Sequence, residues 1–397
     1  MNILLSLLFS IILTAPATLN ASAFTERKPY VMNVSPTEIT LIWRTLLPGR
    51  DMIRFGRLTG SESFVWEVGF NFDHEVQIRD LEPGTCYQYR VIHWGESWHR
   101  SGFCTASLPI KPYVHFLALG DSGEGSPAQY KVAENIRAMH PDLILHVGDV
   151  VYPAGEENNY DANFFSPYTR IIDHIPMFLT LGNHDIKTKN GEAYFDAFDL
   201  PKNNPLLSEA FYSFRWGHVL FITIDSNAFV NGTPEAAIQL DWLRDQLMQN
   251  RLPWVVVFFH HPVYASRGNH GSTPEMQKAL LPLFEKYHVQ LVLSGHDHHY
   301  ERTKLLNGTL YIVTGGGGGG VRPVRPNPSF SEVAISTHHH VSINIYEDLF
   351  ALTAIDENGQ IIDHVSYSLE AFKKSWEEPP APNPLRNRRY RDYRPFP

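Results

Sequence analysis

The sequence predicts two folds in tandem, a small all-β sandwich followed by an α/β domain, and three observations carry that reading. Between about residues 25 and 108 short runs alternate apolar and polar residues between turn signals, with no amphipathic helix. From Val114 onward apolar runs alternate with helical segments. Five of those apolar runs end in polar residues able to bind a metal. The chain has 397 residues, 43% of them apolar and 19% charged, which suits two or more packed domains and excludes disorder as its general state. Its 2 cysteines cannot build a four-thiolate zinc site or an iron–sulfur cluster, whereas its 20 histidines suit a site of nitrogen and oxygen donors. A formal net charge of −9 argues against a generally nucleic-acid-binding surface.

Residues Met1 to Ala23 carry no charged side chain and run from an apolar stretch, Ile3 to Leu13, into small residues ending Ala21-Ser22-Ala23. They read as a secretory signal cleaved after Ala23, so the expected mature protein is soluble and secreted or periplasmic. The alternative, an uncleaved anchor, is disfavoured because the apolar run breaks at Pro16, short of the roughly 20 residues that span a bilayer. No later segment is apolar for long enough to cross a membrane. At the other end, residues 373–397 hold seven Lys or Arg against three Asp or Glu, a net of +4, with prolines 379, 380, 382 and 384 ahead of the arginines. They read as a loosely docked extension of a body that carries −13. The expected boundaries are therefore 1–23 signal, 24–109 β-sandwich, 110–372 α/β domain and 373–397 tail.

Within the first module, strands are expected at Glu38–Trp43, Met52–Gly56 and His74–Ile78. A turn centred on Gly95, between Val91-Ile92-His93 and Trp98-His99-Arg100, sets Cys86 opposite Cys104 and points Tyr87, Tyr89 and Val91 inward. In an exported protein this favours a cross-strand disulfide over two reduced thiols. No cluster of His, Asp and Glu is evident along this stretch, so it is expected to be a packing or recognition platform.

In the α/β region, strands are expected at Val114–Leu119, Leu143–Val147, Met177–Leu181, Val255–Phe259 and Val289–Leu293, and helices at Pro127–Met139, Pro234–Asn250 and Thr273–Tyr287. The strands are followed by Gly120-Asp121-Ser122-Gly123, Gly148-Asp149-Val150-Val151-Tyr152, Gly182-Asn183-His184-Asp185, His260-His261-Pro262 and Gly295-His296-Asp297-His298. Polar groups at the carboxyl ends of strands converge where α/β sheets place their ligands. Glycine before them lets the chain turn sharply. Asp, Asn, Tyr and His offer oxygen and nitrogen donors without thiolate, the set that a dinuclear hydrolytic centre with a bridging carboxylate requires. Each piece alone is an ordinary turn or loop; the five together, in this order, point to a metal-dependent phosphoesterase.

Two resemblances follow from these residues. Leu81-Glu82-Pro83-Gly84-Thr85-Cys86-Tyr87 resembles the turn entering the sixth strand of a fibronectin type III domain. The five motifs resemble those of the metallophosphoesterase (calcineurin-like) superfamily, and within it the purple acid phosphatases. Asp121-Ser122-Gly123 stands where other branches have Asp-x-His, Tyr152 follows Asp149 by three residues as in the purple branch, and His296 to Arg302 resembles its Gly-His-x-His-x-Tyr-Glu-Arg block. The resemblance implies an α/β/β/α sandwich, an iron(III) held by Asp121, Tyr152 and His298, and a second divalent metal (Zn, Mn or Fe) held by Asn183, His260 and His296, with Asp149 bridging. His260 is preferred to His261 because Val257 to Pro262 fits the family pattern. The implied reaction is hydrolysis of a phosphate monoester by a metal-activated water, with His184 stabilising the phosphoryl group or protonating the leaving alcohol. His270, ten residues after His260, resembles a further pocket histidine of the plant enzymes, and charged His184 and His270 would attract phosphate.

Other features carry less. Gly315 to Gly320 lacks the Lys-Ser or Lys-Thr of a nucleotide P-loop and reads as a flexible connection beside the pocket. His338-His339-His340 precedes an alternating strand, Val341–Ile345, and reads as rim polarity rather than as another metal site. Asn33, Asn231 and Asn307 lie in glycosylation sequons, relevant in a eukaryote. The closest rival function is a metallophosphodiesterase or nucleotidase with two divalent metals; a different class is an exported binding protein with an inert α/β domain. The expected partner is a small phosphomonoester, with no nucleic acid and no membrane span, and oligomeric state has no signature in the chain.

Overall fold

The computed structural model describes residues 25–110, 112–267 and 270–377; the expected signal and the tail beyond residue 377 lie outside the described residues. Two antiparallel sheets form the first module. One pairs Thr25–Met32, Ile39–Gly49 and Asn71–Ile78; the other runs in the order Ser63–Trp66, Met52–Gly56, Cys86–His93, Glu96–Cys104. Period-2 alternation drives the packing: Ile39, Leu41 and Trp43 from one sheet and Tyr87, Tyr89 and Val91 from the other are buried. Each such large side chain contributes about 1.5–3 kcal/mol by leaving water. Cys86 pairs with Cys104 in the expected register, on the exposed face, and a disulfide joins them.

The α/β domain stacks two sheets. The first runs Met177–Leu179, Leu143–His146, Tyr113–Leu119, His339–Tyr346, Leu349–Asp356, Ile361–Ser368; the second runs Tyr212–Trp216, Val219–Thr223, Trp254–Phe258, Leu291–Ser294, Leu310–Thr314, Tyr300–Thr303, Ser331–Ile335. Phe178 stacks on Phe214 at 3.7 Å and Phe116 meets Phe221 edge-on at 5.2 Å, so aromatic side chains from both sheets fill the space between them. Strand Trp254–Phe258 shows why its run is continuously apolar: Val256 and Phe258 face the other sheet while Val255 and Val257 face the layer of helices Pro234–Gln249 and Pro274–Tyr287. Helix Pro127–Arg137 starts with the Ser126 hydroxyl accepting from the Gln129 N–H, and each of these three helices begins at a proline. The last helix, Leu369–Glu377, buries Phe372 and carries the first residues of the segment expected to be a tail.

The two modules share one apolar core. Tyr30 donates from its hydroxyl to the Ala197 carbonyl (2.6 Å), Tyr89 to that of Asp173 (2.7 Å), and the Val31 N–H to that of Ile172 (2.8 Å). Arg27 pairs with Asp161 at 2.8 Å and lies 3.8 Å over the Phe165 ring. Among the described residues no helix is long and apolar enough to cross a membrane.

Candidate metal centre

The carboxyl ends of the parallel strands in both sheets meet at one place. Asp121, Asp149 and His296, each just past a strand end, have φ of 55°, 53° and 69°. Left-handed backbone at non-glycine residues is costly, and here it turns the side chains back over the strand ends. The preceding glycines serve chiefly as space. A Cβ on Gly182 would lie 2.1 Å from both the backbone N and Oδ1 of Asp149, and one on Gly295 2.3 Å from Asp121 Oδ2. The six-glycine run is a correction to the sequence reading. Gly315 to Gly319 are buried, not a flexible connection, and a Cβ on any of the five would come within 2.8 Å of a neighbouring atom. The run is a close-packed wall: the Gly317 N–H donates to Gly120 O and the Gly319 N–H to Asp121 O.

Two groups of donor atoms result. In the first, Tyr152 Oη lies 3.3 Å from Asp121 Oδ1 and 3.0 Å from His298 Nε2. In the second, Asn183 Oδ1 lies 3.0 Å from both His260 Nε2 and His296 Nδ1, which are 3.2 Å from each other. Asp149 stands between, with Oδ2 3.0 Å from Tyr152 Oη and Oδ1 3.5 Å from His260 Nε2. Donors bound at about 2.1 Å to a common centre and at right angles to each other are about 3.0 Å apart, so both groups have the spacing of one cation's ligands. The outer ring nitrogens support this: Nδ1 of His260 and of His298 donate to Val147 O and Gly320 O, which turns Nε2 inward as a bare donor atom. Among the described residues a second group with metal-ligating potential, Asp51, His74 and His93, lies in the first module. This corrects the expectation that the module holds no such cluster; its members come from well-separated segments that no local motif could flag.

The calcineurin-like phosphoesterase family model matches residues 114–300, the stretch that carries Asp121, Asp149, Tyr152, Asn183, His260, His296 and His298. Residues 114–300 form a calcineurin-like phosphoesterase domain. Around this phosphoesterase domain the chain is similar to a Mycobacterium tuberculosis protein (28% identity, 69% of this chain, 61% of the relative) and to mouse acid phosphatase type 7 (26%, 88% of this chain, 93% of the relative). It spans about three fifths of the length of the mycobacterial relative. Its fold matches a purple acid phosphatase from yellow lupin seeds with a TM-score of 0.75 at 19% identity, covering 86% of this chain and 74% of that one.

Electrostatics show what the phosphoesterase site lacks by itself. Burial pulls the His298 pKa down, but hydrogen bonding to Asp121 and that carboxylate's charge more than offset it and hold the group at about 9. At His260 burial likewise lowers the pKa, but the charges of Asp149 and Asp121 outweigh it and the net shift is upward. Burial, then Asp121 and Asp149, push the Tyr152 phenol well above its ordinary value. Such concentrated negative potential fits highly charged cations, whose presence would be needed for Tyr152 to ionise.

His184 is half-buried beside Tyr152 (ring centroids 4.6 Å apart); its Nδ1 donates to Pro153 O at 2.6 Å, and the Lys187 ammonium lies 3.0 Å from Nε2. His270 is exposed and stacks on His296 at 4.0 Å, its backbone held by Asp297. Burial, Arg322 and neighbouring imidazoles lower its pKa despite Asp297. That shift works against a charge on His270, and the Lys187 ammonium beside His184 and the nearby Arg322 bring further positive charge to the rim. His261 bonds Ser226 Oγ and is kept neutral by burial, which lowers its pKa to about 3. Asp185, given no role from sequence, is buried and accepts from the N–H groups of Val150, Val151 and Gly182, locking the Asp149 loop to the Asn183 loop. His338 and His339 bond Gly319 O and Thr314 Oγ1, bracing the glycine wall from behind.

Proposed function

We propose that the chain is a secreted acid phosphatase that hydrolyses phosphate monoesters at a dinuclear centre of iron(III) and a second divalent metal. The observation that carries the reading is the position of Tyr152 Oη, within 3.3 Å of Asp121, Asp149 and His298, opposite a group of Asn183, His260 and His296 with no phenol. That asymmetry suits a hard trivalent ion beside a softer divalent one. Bound there, the two cations would lower the pKa of water and neutralise charge on a phosphoryl group. Asp121, Tyr152 and His298 would hold the iron, Asn183, His260 and His296 the second metal, and Asp149 both.

The chain's own groups supply the rest. With Nδ1–H donating to Pro153 O, a neutral His184 leaves Nε2 as an acceptor, and in its imidazolium form Nε2–H would donate a proton to the leaving alcohol. Lys187 and His270 line the phosphate approach, and Arg322 adds charge from the wall side. The Cys86–Cys104 disulfide suits an oxidising compartment, in keeping with the expected signal segment.

Metal analysis and a visible spectrum of the purified protein, followed by a phosphomonoester panel on the same sample, test the reading. It requires iron, a visible phenolate-to-iron band that Tyr152→Phe abolishes, and activity favoured on the acid side of neutral. A colourless, metal-replete and active enzyme would overturn it in favour of a two-divalent-metal phosphodiesterase or nucleotidase.

A further inference from the structure

The first module contains a buried polar cluster that the phosphoesterase reaction does not use. Asp51, Glu67, His74 and His93 come from different segments, yet they are 0%, 3%, 1% and 1% exposed. His93 Nδ1 lies 2.5 Å from Asp51 Oδ1, and His74 Nδ1 lies 2.7 Å from Glu67 Oε2 and 3.9 Å from Asp51 Oδ2. The ion pairs of the two carboxylates run only to these imidazoles among the described residues. Two buried carboxylates need positive charge within the cluster, since each uncompensated ion costs several kcal/mol.

Thr45 decides what form of His74 faces those carboxylates. Its hydroxyl donates its one proton to Leu47 O at 2.7 Å, so toward His74 Nε2, at 2.8 Å, it can only accept. Nε2 therefore carries the ring proton and a neutral His74 turns the lone pair of Nδ1 onto the oxygens of Glu67 and Asp51. A lone pair facing carboxylates is repulsive unless a cation lies between them. The oxygens are oriented as well: Trp43 Nε1–H donates to Asp51 Oδ2 and Asn71 Nδ2 to Glu67 Oε1, both at 2.9 Å, and the Asp51 N–H reaches Glu67 Oε2 at 3.3 Å, so Asp51 Oδ1 and Glu67 Oε2 are held facing the two imidazoles. Gly49 closes the space, since a Cβ there would sit 2.5 Å from the His93 ring and 3.2 Å from Asp51 Oδ1. One ring nitrogen fixed outward by a hydrogen bond and the other turned toward carboxylates is the arrangement found at His260 and His298.

We propose that Asp51, Glu67, His74 and His93 hold a divalent transition metal ion of their own, zinc by the chemistry of two imidazoles and two carboxylates, remote from the phosphoesterase centre. A dication neutralises both carboxylates at once. It also ties together the two sheets of the sandwich at the end where Leu46, Leu47, Val68, Phe70 and Trp94 are exposed.

Zinc content measured on the full chain after loading with zinc chloride and gel filtration tests this. The wild type is expected to hold about one zinc more per chain than the double variant His74→Gln/His93→Gln, with the variant's phosphatase activity within about twofold because the substituted residues lie in the other module and bond Thr45, Glu67 and Asp51 there, not the centre's ligands. In an Asp149→Ala background, which weakens the other centre, the same difference should persist. Equal zinc in folded wild type and variant would overturn the proposal and leave imidazolium protons as the compensating charge. Should the glutamine variants not fold, anomalous scattering at the zinc edge from wild-type crystals decides: a peak between His74 and Glu67 supports the site, and its absence overturns it.

Discussion

Replacing Gly182 by alanine should disable the centre without replacing any ligand. The added Cβ would lie 2.1 Å from the backbone N and from Oδ1 of Asp149 and 2.8 Å from its Cα, where ordinary contact begins at 3.4 Å. Relieving that overlap requires Asp149 to move by about 1.3 Å, and the atoms involved are backbone and a carboxylate held by the His184 N–H at 2.8 Å, not the tip of a flexible chain. Misplacement of a reacting constellation by about 1 Å costs about 10²-fold in rate, and overpacking adds about 1–3 kcal/mol of destabilisation. The assay is kcat/KM on p-nitrophenyl phosphate in metal-saturated buffer, with thermal melting in parallel. Gly320→Ala is the control, because a Cβ there meets nothing within 4 Å. If Gly182→Ala keeps kcat/KM within about threefold of wild type while still folded, the argument that this glycine exists to admit Asp149 is wrong.

Three further outcomes are expected. Gly317→Ala, whose Cβ would sit 2.5 Å from Gly120 O, should lower the melting temperature by several degrees where Gly320→Ala does not; equal melting would restore the view of the run as a flexible connection. Lys187→Ala, removing an exposed cation 3.0 Å from His184 Nε2, should raise KM about three- to tenfold more than it lowers kcat, and steady-state kinetics at low salt would show it. His339 is fully buried and its pKa is lowered to about 3, chiefly by burial, so below its unfolded value of about 6.5 the unfolded chain binds a proton that the native one refuses. Its stability contribution is complete above that pH and falls by about 2 kcal/mol by pH 5. Melting curves of His339→Asn should be flatter between pH 7 and 5 than those of the wild type, and an identical pH dependence would contradict the assignment.

What the sequence revealed depended on whether a feature was local. The Cys86–Cys104 register followed from a single turn at Gly95, and the donor residues from their place after apolar strands, since a strand fixes where its next side chain can point. Strands Tyr212–Trp216 and Val219–Thr223 were missed because Arg215, Gly217 and His218 interrupt the apolar pattern where a tight antiparallel pair turns. The glycine run was misread because glycine permits freedom and close approach equally, and only the atoms opposite it distinguish the two. Lys187 and Arg322 carry no spacing signal. Asp51, Glu67, His74 and His93 are drawn together solely by sheet pairing.

The seam between the modules has a practical consequence for anyone dividing this protein. Cutting near residue 110 would strip Tyr30 and Val31 from Phe165, Ile172 and Phe198, and leave the carbonyls of Ala197, Ile172 and Asp173 to find new donors. The segment so uncovered, a short helical stretch and turn from Asp161 to Asp173, leads back to Tyr152 through Asn163, whose Nδ2 donates to the Tyr152 carbonyl. The sandwich thus acts as a splint on the segment that presents the phenol. An excised phosphoesterase domain would be sticky along one flank and loosely set at one ligand, so the smallest useful fragment of this chain is both modules together.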